Sequence, residues 1–444
     1  MKVVIAGAGE VGTHLARMLS KEDHDIVLLD DSPERLSRIS NEVDLMTIVG
    51  SAHSFSDLKK TELAKSDLFI AVTPFEERNV LACAMASYLG VGRTIARINN
   101  QEYLHQKYRS KLYNMGINEL IYPESLAAKE IVASVKQTVT RQSIEFSNGK
   151  LILLGIKVRN NAPILNQTFE SLSAEHKHLL VVAITRNNET IIPKGSDSIL
   201  NGDVVFVVTT LAEQNSVFAL MGKTLFDVKN IMFMGGSRIA QKAIEKLGEH
   251  YRIKIIENDR ERCEKIADKY GHVLVINGDG RNLDLLKQEG IEKMDAFVAT
   301  TGNSETNILA CNLAKTMGVK RTVAEVENLA YMKLADNTDI GSIINKKLIA
   351  ASYIYRFTLN AEISKVKCLT ASDAEVFEFI AKPNAKIVSK PVKDLNFPAE
   401  AKIGGIIRGD IGYIAHGYTQ IQEGDKVVVF TLPSGIKKIE KFFK

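Results

Sequence analysis

Gly7, Gly9 and Gly12, in the run "IAGAGEVGTHLA", stand at the G-x-G-x-x-G spacing, and Asp30 closes the run "DIVLLD" farther on. Glycines so spaced do binding chemistry. The first permits a tight turn, the second lets backbone approach a pyrophosphate, and the third lets a helix pack closely on a strand. Free amides over Gly7, Ala8, Gly9, Glu10, Val11 and Gly12 then face an anion at the positive end of the helix. A carboxylate at the position of Asp30 can accept hydrogen bonds from an adenosine ribose. Ser51, Thr73, Pro74 and Arg97 fall at the ends of later apolar runs, where ligands of parallel sheets collect. Arg97 can pair with a phosphate or with an acid such as Glu77.

Asp30 also discriminates between nucleotides. At about 4 Å from a 2′-phosphate, each charge pair costs about 4 kcal/mol at an effective dielectric of 20, before screening. The sequence therefore predicts NAD(H) over NADP(H), and an adenine nucleotide such as ATP offers the same free ribose. No His or Lys has a claim to be a general acid or base beside such a ligand: His14 falls on the first helix and His105 in the polar run "NQEYLHQKYRS".

These residues need a scaffold of alternating strands and helices. Short Val/Ile-rich runs predict strands at 2–6, 26–30, 45–49, 68–72 and 93–98, with helical stretches between them, the pattern of a doubly wound parallel sheet. The stretch "YPESLAAKEIVASVKQTV" adds a helix with Pro123 in its first turn. The whole pattern then recurs. Residues 67 to 98 over residues 295 to 326 are identical at roughly half of the positions, at a constant offset. In that register the second copy offers Gly235, Gly236, Ser237, Arg238 and Ile239 for the turn and Glu257 for Asp30. Asp279 stands for Ser51, Thr301 and Gly302 for Thr73 and Pro74, and Glu325 for Arg97. Ser237 puts a side chain where backbone should meet phosphate, and Glu325 replaces a cation with an anion. Both departures predict a weakened or altered second site.

A β-rich segment follows each doubly wound copy. Residues 179 to 209 and 401 to 431 share a strand, a turn and a Gly-Asp step, Gly202-Asp203 and Gly424-Asp425, which reads as turn chemistry. The expected fold is thus α/β, two tandem Rossmann-like domains at 1–122 and 228–345, each followed by a small β-rich α+β domain, at 140–222 and 363–444. Linkers are expected near "TRQSIEFSNGK" and "NAEISKVKCLTASD". The helices at 123–140 and 344–357 are candidates for joining subunits or domains.

Composition narrows the function classes. The chain has 444 residues, 45% hydrophobic and 25% charged, with 57 Lys plus Arg against 53 Asp plus Glu. That is a globular chain of several cores whose scattered basic residues give no footprint for nucleic acid. No apolar run approaches the roughly 20 residues that span a bilayer, and "MKVVIAGAGE" reads as strand and turn, not signal peptide, so a cytoplasmic location is expected. Cys83, Cys263, Cys311 and Cys368 show no metal-binding spacing and read as structural, and the pair His176 and His178 lacks a third ligand. No metal is expected.

Two copies of "VVIAGAGEVGTHLA", "LLD", "AVT" and "TIARI", each followed by a small β-rich domain, resemble the RCK (regulator of K⁺ conductance) family, the peripheral regulatory proteins of Trk potassium uptake systems. The resemblance covers nearly the whole chain. It implies NAD(H) binding, ATP or ADP binding in some members, and no catalysis. It also implies assembly as a dimer or tetramer under a membrane-embedded potassium transporter, on the cytoplasmic face. The cofactor contacts it implies are Gly7 to Val11, Asp30, Thr73, Pro74 and Arg97. Many members keep both glycine turns, which the second copy here does not. An NAD-dependent oxidoreductase and a ligand-free scaffold are the alternative classes.

Overall fold

The computed structural model describes residues 1–20, 24–187, 189–328, 330–332, 335, 340–359, 363–369, 372 and 374–444, with side chains at 364, 365 and 368 outside the description. Its contacts divide into two units, residues 1–126 with 346–359, and residues 127–345 with 360–444.

The first unit is built on six parallel strands, β1 (Lys2–Ala6), β2 (Asp25–Asp30), β3 (Met46–Val49), β4 (Leu68–Ala71), β5 (Arg93–Arg97) and β6 (Glu119–Ile121), in the order β3-β2-β1-β4-β5-β6. Val3, Val4, Ile5, Leu68, Phe69 and Ile70 are fully buried, because a parallel sheet is covered on both faces. The helices are α1 (Glu10–Ser20), α2 (Pro33–Ser40), α3 (Phe55–Lys60), α4 (Glu76–Tyr88) and α5 (Gln106–Asn114). In α1, Val11, Gly12, Leu15, Ala16 and Leu19 recur at helical spacing and are all buried. Ser32 caps α2 by accepting from the Arg35 amide, with Pro33 in the first turn. The strand order reverses between β1 and β4, so the carboxyl ends of these two strands open the crevice in which such sheets hold ligands.

Strand β6 extends the expected set, since three residues are too short to show a period. The helix α6 (Pro123–Lys136) starts in the first unit and enters the second at Ala127. The helix Lys346–Tyr355, which follows the second parallel sheet in the chain, belongs to the first unit and packs against α1. Both helices proposed as joints are therefore engaged within the chain.

The second unit repeats the parallel sheet with β12 (Asn230–Met234), β13 (Arg252–Glu257), β14 (Val273–Asn277), β15 (Ala296–Ala299), β16 (Arg321–Glu325) and β17 (Ser342–Ile344), in the order β14-β13-β12-β15-β16-β17. Its helices include α9 (Arg238–Leu247), α10 (Arg260–Lys269), α11 (Leu283–Gln288) and α12 (Ser304–Thr316). Two antiparallel sheets complete it. One joins β7 (Gln142–Phe146), β8 (Leu151–Lys157), β9 (Leu179–Arg186), β10 (Glu189–Ile191) and β11 (Val204–Thr209), with α7 (Phe169–Glu175) and α8 (Gln214–Leu220). The other joins β18 (Ile363–Cys368), β19 (Glu375–Ile380), β20 (Ala401–Arg408), β21 (Ile411–Ile414) and β22 (Lys426–Thr431). The sheets share one core, with the Phe206 and Phe430 rings 6.0 Å apart beside Phe146, Leu153 and Val428.

Two expectations need correction here. The segments read as linkers carry β7 and β18, edge strands with two adjacent polar residues each, which hide the period of a strand. Asp203 and Asp425 are more than turn formers. Each is 1% exposed, takes a two-pronged salt bridge from Arg186 or Arg408, and accepts from the amide of Leu200 or Gln422.

Candidate functional site

The first glycine turn lies at the end of β1, beside the end of β4. Gly7 has φ +111°, and a Cβ there would sit 3.0 Å from the backbone of Val72 and Thr73, so only glycine fits without strain. A Cβ on Gly12 would come within 1.9 Å of the Gly7 carbonyl oxygen, whereas one on Gly9 would meet open space. Gly12 thus serves close packing of α1 on the turn, and the backbone at Gly9 is open to approach.

Asp30 ends β2 at 7% exposure. Its Oδ2 accepts from the Ala8 amide at 2.6 Å and its Oδ1 from the Ser32 amide at 2.9 Å, and Arg35 approaches to 3.8 Å. The acid clamps the turn as well as facing the crevice. Ser51 follows β3, its amide held by Asp57 and its hydroxyl against His53 at 2.8 Å. Thr73 and Pro74 follow β4, and Arg97 ends β5. Asn79, fully buried in α4, ties these ends together by accepting from the Thr73 amide and hydroxyl and donating to the carbonyls of Thr73 and Arg97.

The acid facing Arg97 is Glu124, 3.6 Å away at the start of α6, and not Glu77. The reversal comes from β6, which carries the chain back to the carboxyl edge of the sheet three residues before Glu124. Arg97 Nε and Glu124 Oε2 are buried with no hydrogen-bond partner among the described residues. A guanidinium nitrogen without a hydrogen-bond partner at the carboxyl edge of a parallel sheet can take an anion.

The second copy reproduces this frame. Gly235 has φ +95°, and Glu257 accepts from the Gly236 amide at 2.6 Å and the Asp259 amide at 2.9 Å. Asn307 binds Thr301 and the Glu325 carbonyl as Asn79 does Thr73 and Arg97. A cavity of about 340 Å³ opens here, lined by Gly235, Ser237, Glu257, Asp279, Thr301 and Gly302 among others, with Arg262 and Arg281. Gly236, Arg238, Ile239 and Glu325 are outside its lining. Ser237 caps α9 by accepting from the Ala240 amide at 3.3 Å. Ala240 occupies the place of Gly12, and the Gly235 carbonyl accepts from the Thr300 hydroxyl at 3.2 Å. Asp279 pairs with Arg281 at 2.7 Å, which lowers its carboxyl below the usual range through the Arg281 hydrogen bonds.

The asparagines were missed in the sequence because a polar residue within a helix reads as solvated. Their signal was their shared register in "NVLACAMA" and "NILACNLA". Cys83 and Cys311, also in register, are fully buried, and burial pushes both thiols up. Cys263 is buried too, while the Cys368 side chain lies outside the described residues. Among the described residues no group of three or more metal-ligating side chains occurs. His178 meets the Ser216 hydroxyl at 2.9 Å. No described helix is long and apolar enough to cross a membrane.

Fold and turns together define a tandem Rossmann-like protein with a glycine turn after the first strand of each parallel sheet. TrkA-N domain models match residues 3–123 and 231–346, and TrkA-C domain models match 153–222 and 376–444. The chain belongs to the TrkA family. It is 30% identical to the Trk system potassium uptake protein TrkA homolog 2 of Methanosarcina mazei, over 100% of both chains. It is 31% identical to the Trk system potassium uptake protein TrkA of Vibrio alginolyticus, over 97% of this chain and 95% of that one. Among solved structures, the GsuK channel bound to NAD shares the fold at TM-score 0.61 and 15% identity, over 100% of this chain and 78% of that one. The same channel bound to ADP matches at TM-score 0.52 and 12% identity, over 80% and 68%.

Proposed function

We propose that this chain is the nucleotide-sensing regulatory subunit of a Trk-type potassium uptake system, binding NAD(H), and ATP or ADP, to gate a membrane-embedded transporter without catalysing a reaction. The observation that carries the reading is the first cradle: a glycine turn clamped by the buried Asp30, with Arg97, whose Nε has no hydrogen-bond partner among the described residues, at the same carboxyl edge of the sheet. Such a site needs only to bind. Relatives named as Trk potassium uptake proteins supply the transport context, and the NAD-bound and ADP-bound GsuK structures supply the ligand class. The working form is a homo-oligomer, a dimer or tetramer, held at the cytoplasmic face through its partner.

Isothermal titration of the full chain with NADH, ATP and ADP tests the binding, and nicotinamide absorbance with candidate carbonyl substrates tests for chemistry. Saturable binding with no change in absorbance is expected. Steady oxidation of NADH would make the protein an oxidoreductase, and no binding of any nucleotide would leave a scaffold.

A further inference from the structure

Lys347 is the second residue of a helix that opens in an unusual way. The helix Lys346–Tyr355 has two lysines and no acid in its first turn, an arrangement that opposes its dipole. Within the first unit it packs against α1 and reaches β6. There the Lys347 ammonium lies 2.5 Å from the Glu10 carboxylate, the lysine side chain 13% exposed and the glutamate 68%. Glu10 is the first residue of α1 and part of the glycine turn. A nearly buried cation has therefore been carried to the anion-binding end of α1, and the acid that holds it there is largely in water.

The repeat register sharpens this. Strands β6 and β17 both end in isoleucine, and three residues later stand Glu124 and Lys347. The first repeat thus pairs the cation Arg97 with the acid Glu124, while the second holds the acid Glu325 and the cation Lys347. The signs are exchanged. Because the later helix is part of the first unit, that unit has two cations, Arg97 and Lys347, at the carboxyl edge of one sheet. The Glu124 carboxylate, 5% exposed, and the Arg97 guanidinium, each with an atom that has no hydrogen-bond partner among the described residues, mark the same edge as prepared for a further polar group.

We propose that Lys347 is a phosphate-binding residue of the first nucleotide site, exchanging Glu10 for the diphosphate or triphosphate of an adenine nucleotide. Glu10 is then a competitor that occupies the cation when the site is empty. The residue is supplied by the segment that follows the second repeat, so occupancy of the first site is felt in the chain on either side of residue 347. This inference rests on the nucleotide-binding reading above.

The test is titration of the full-length protein and its variants with ATP, NADH and adenosine. Lys347→Met should weaken ATP and NADH by about tenfold, the scale of one charge-assisted hydrogen bond, and leave adenosine unchanged. Lys347→Arg should retain most of the affinity, and Glu10→Gln should bind ATP several-fold more tightly by releasing the lysine. Wild-type affinity for ATP in Lys347→Met, alongside a weakened Asp30→Ala, would remove Lys347 from the site while leaving the site itself in place. Equal losses for adenosine and ATP would also overturn the proposal. If Lys347→Met does not fold, Glu10→Gln decides, and an unchanged affinity there is fatal. Failure of the wild-type protein to bind any of the nucleotides would instead bring down the functional reading.

Discussion

Asp30 holds the glycine turn through the Ala8 amide, and a ribose would ask the same carboxylate for further hydrogen bonds. An ionised carboxylate has about four acceptor sites, so both demands can be met, and the turn is pre-shaped before the ligand arrives. Asp30→Ala should therefore weaken NADH binding by about 1 to 3 kcal/mol, through the lost ribose contact and an unsatisfied turn amide. Titration calorimetry on the full chain measures this, and an unchanged dissociation constant would exclude Asp30 from the site. Glu257→Ala should leave the first site's NADH affinity unchanged, because Glu257 clamps only its own turn. The two acids were legible because each closes an apolar run at the ribose position. Glu124 was not, since the three-residue strand that returns the chain to Arg97 has no readable period. Ser237 shows the limit of motif reading: the serine that breaks the glycine pattern also caps α9.

Helices were easier to find in the sequence than to place. In Lys346–Tyr355 the buried residues Ala350, Ala351, Ser352, Ile354 and Tyr355 fall on more than one face, so no single stripe says what the helix covers. An arginine at the same register of each repeat anchors the chain that follows such a helix. In the first unit, Arg93 stands over the Phe357 ring at 5.7 Å. In the second, Arg321 is 4% exposed and donates to the carbonyls of Ser134 and Thr140 at 2.7 Å each, and to the Ser342 hydroxyl at 2.7 Å. Burial pushes this guanidinium down to about 9, so it is still a cation at neutral pH, held by carbonyl oxygens near the end of α6. Arg321→Met should cost about 3 kcal/mol or more, because several buried acceptors lose their donor at once. Arg93→Met should cost about 0.5 to 1 kcal/mol, the scale of an exposed cation–π contact. Arg321→Lys should not recover the loss, since an ammonium cannot reproduce the fork. Urea midpoints with unchanged slopes check all three, and equal costs at the two positions would refute the asymmetry.

For the whole molecule, the repeat was the most legible feature and the exchange of helices the least. Identity between copies is written in the sequence, but the partner of an appended helix is a tertiary choice among similar surfaces. The exchange has an experimental consequence: cutting the chain between repeats would remove Lys346–Leu359 from the first unit, so ligand stoichiometry belongs to the full chain. Regulation sets a further demand. Moving a two-state equilibrium from 1:99 to 99:1 takes about 5.5 kcal/mol of differential affinity, while coupling between one pair of sites supplies about 1 to 3 kcal/mol. One chain with one such site would fall short of that, and two to four copies acting together would reach it. The protein should therefore be at least a dimer in solution, and its free, NADH-bound and ATP-bound forms should give distinguishable small-angle scattering profiles. The forward-scattering intensity reports the mass, and the profile beyond it reports the state. Three superimposable profiles would mean that nucleotide binding leaves the molecule's conformation unmoved, and a monomer would remove the added sites that the arithmetic requires; either outcome leaves gating through this protein without support.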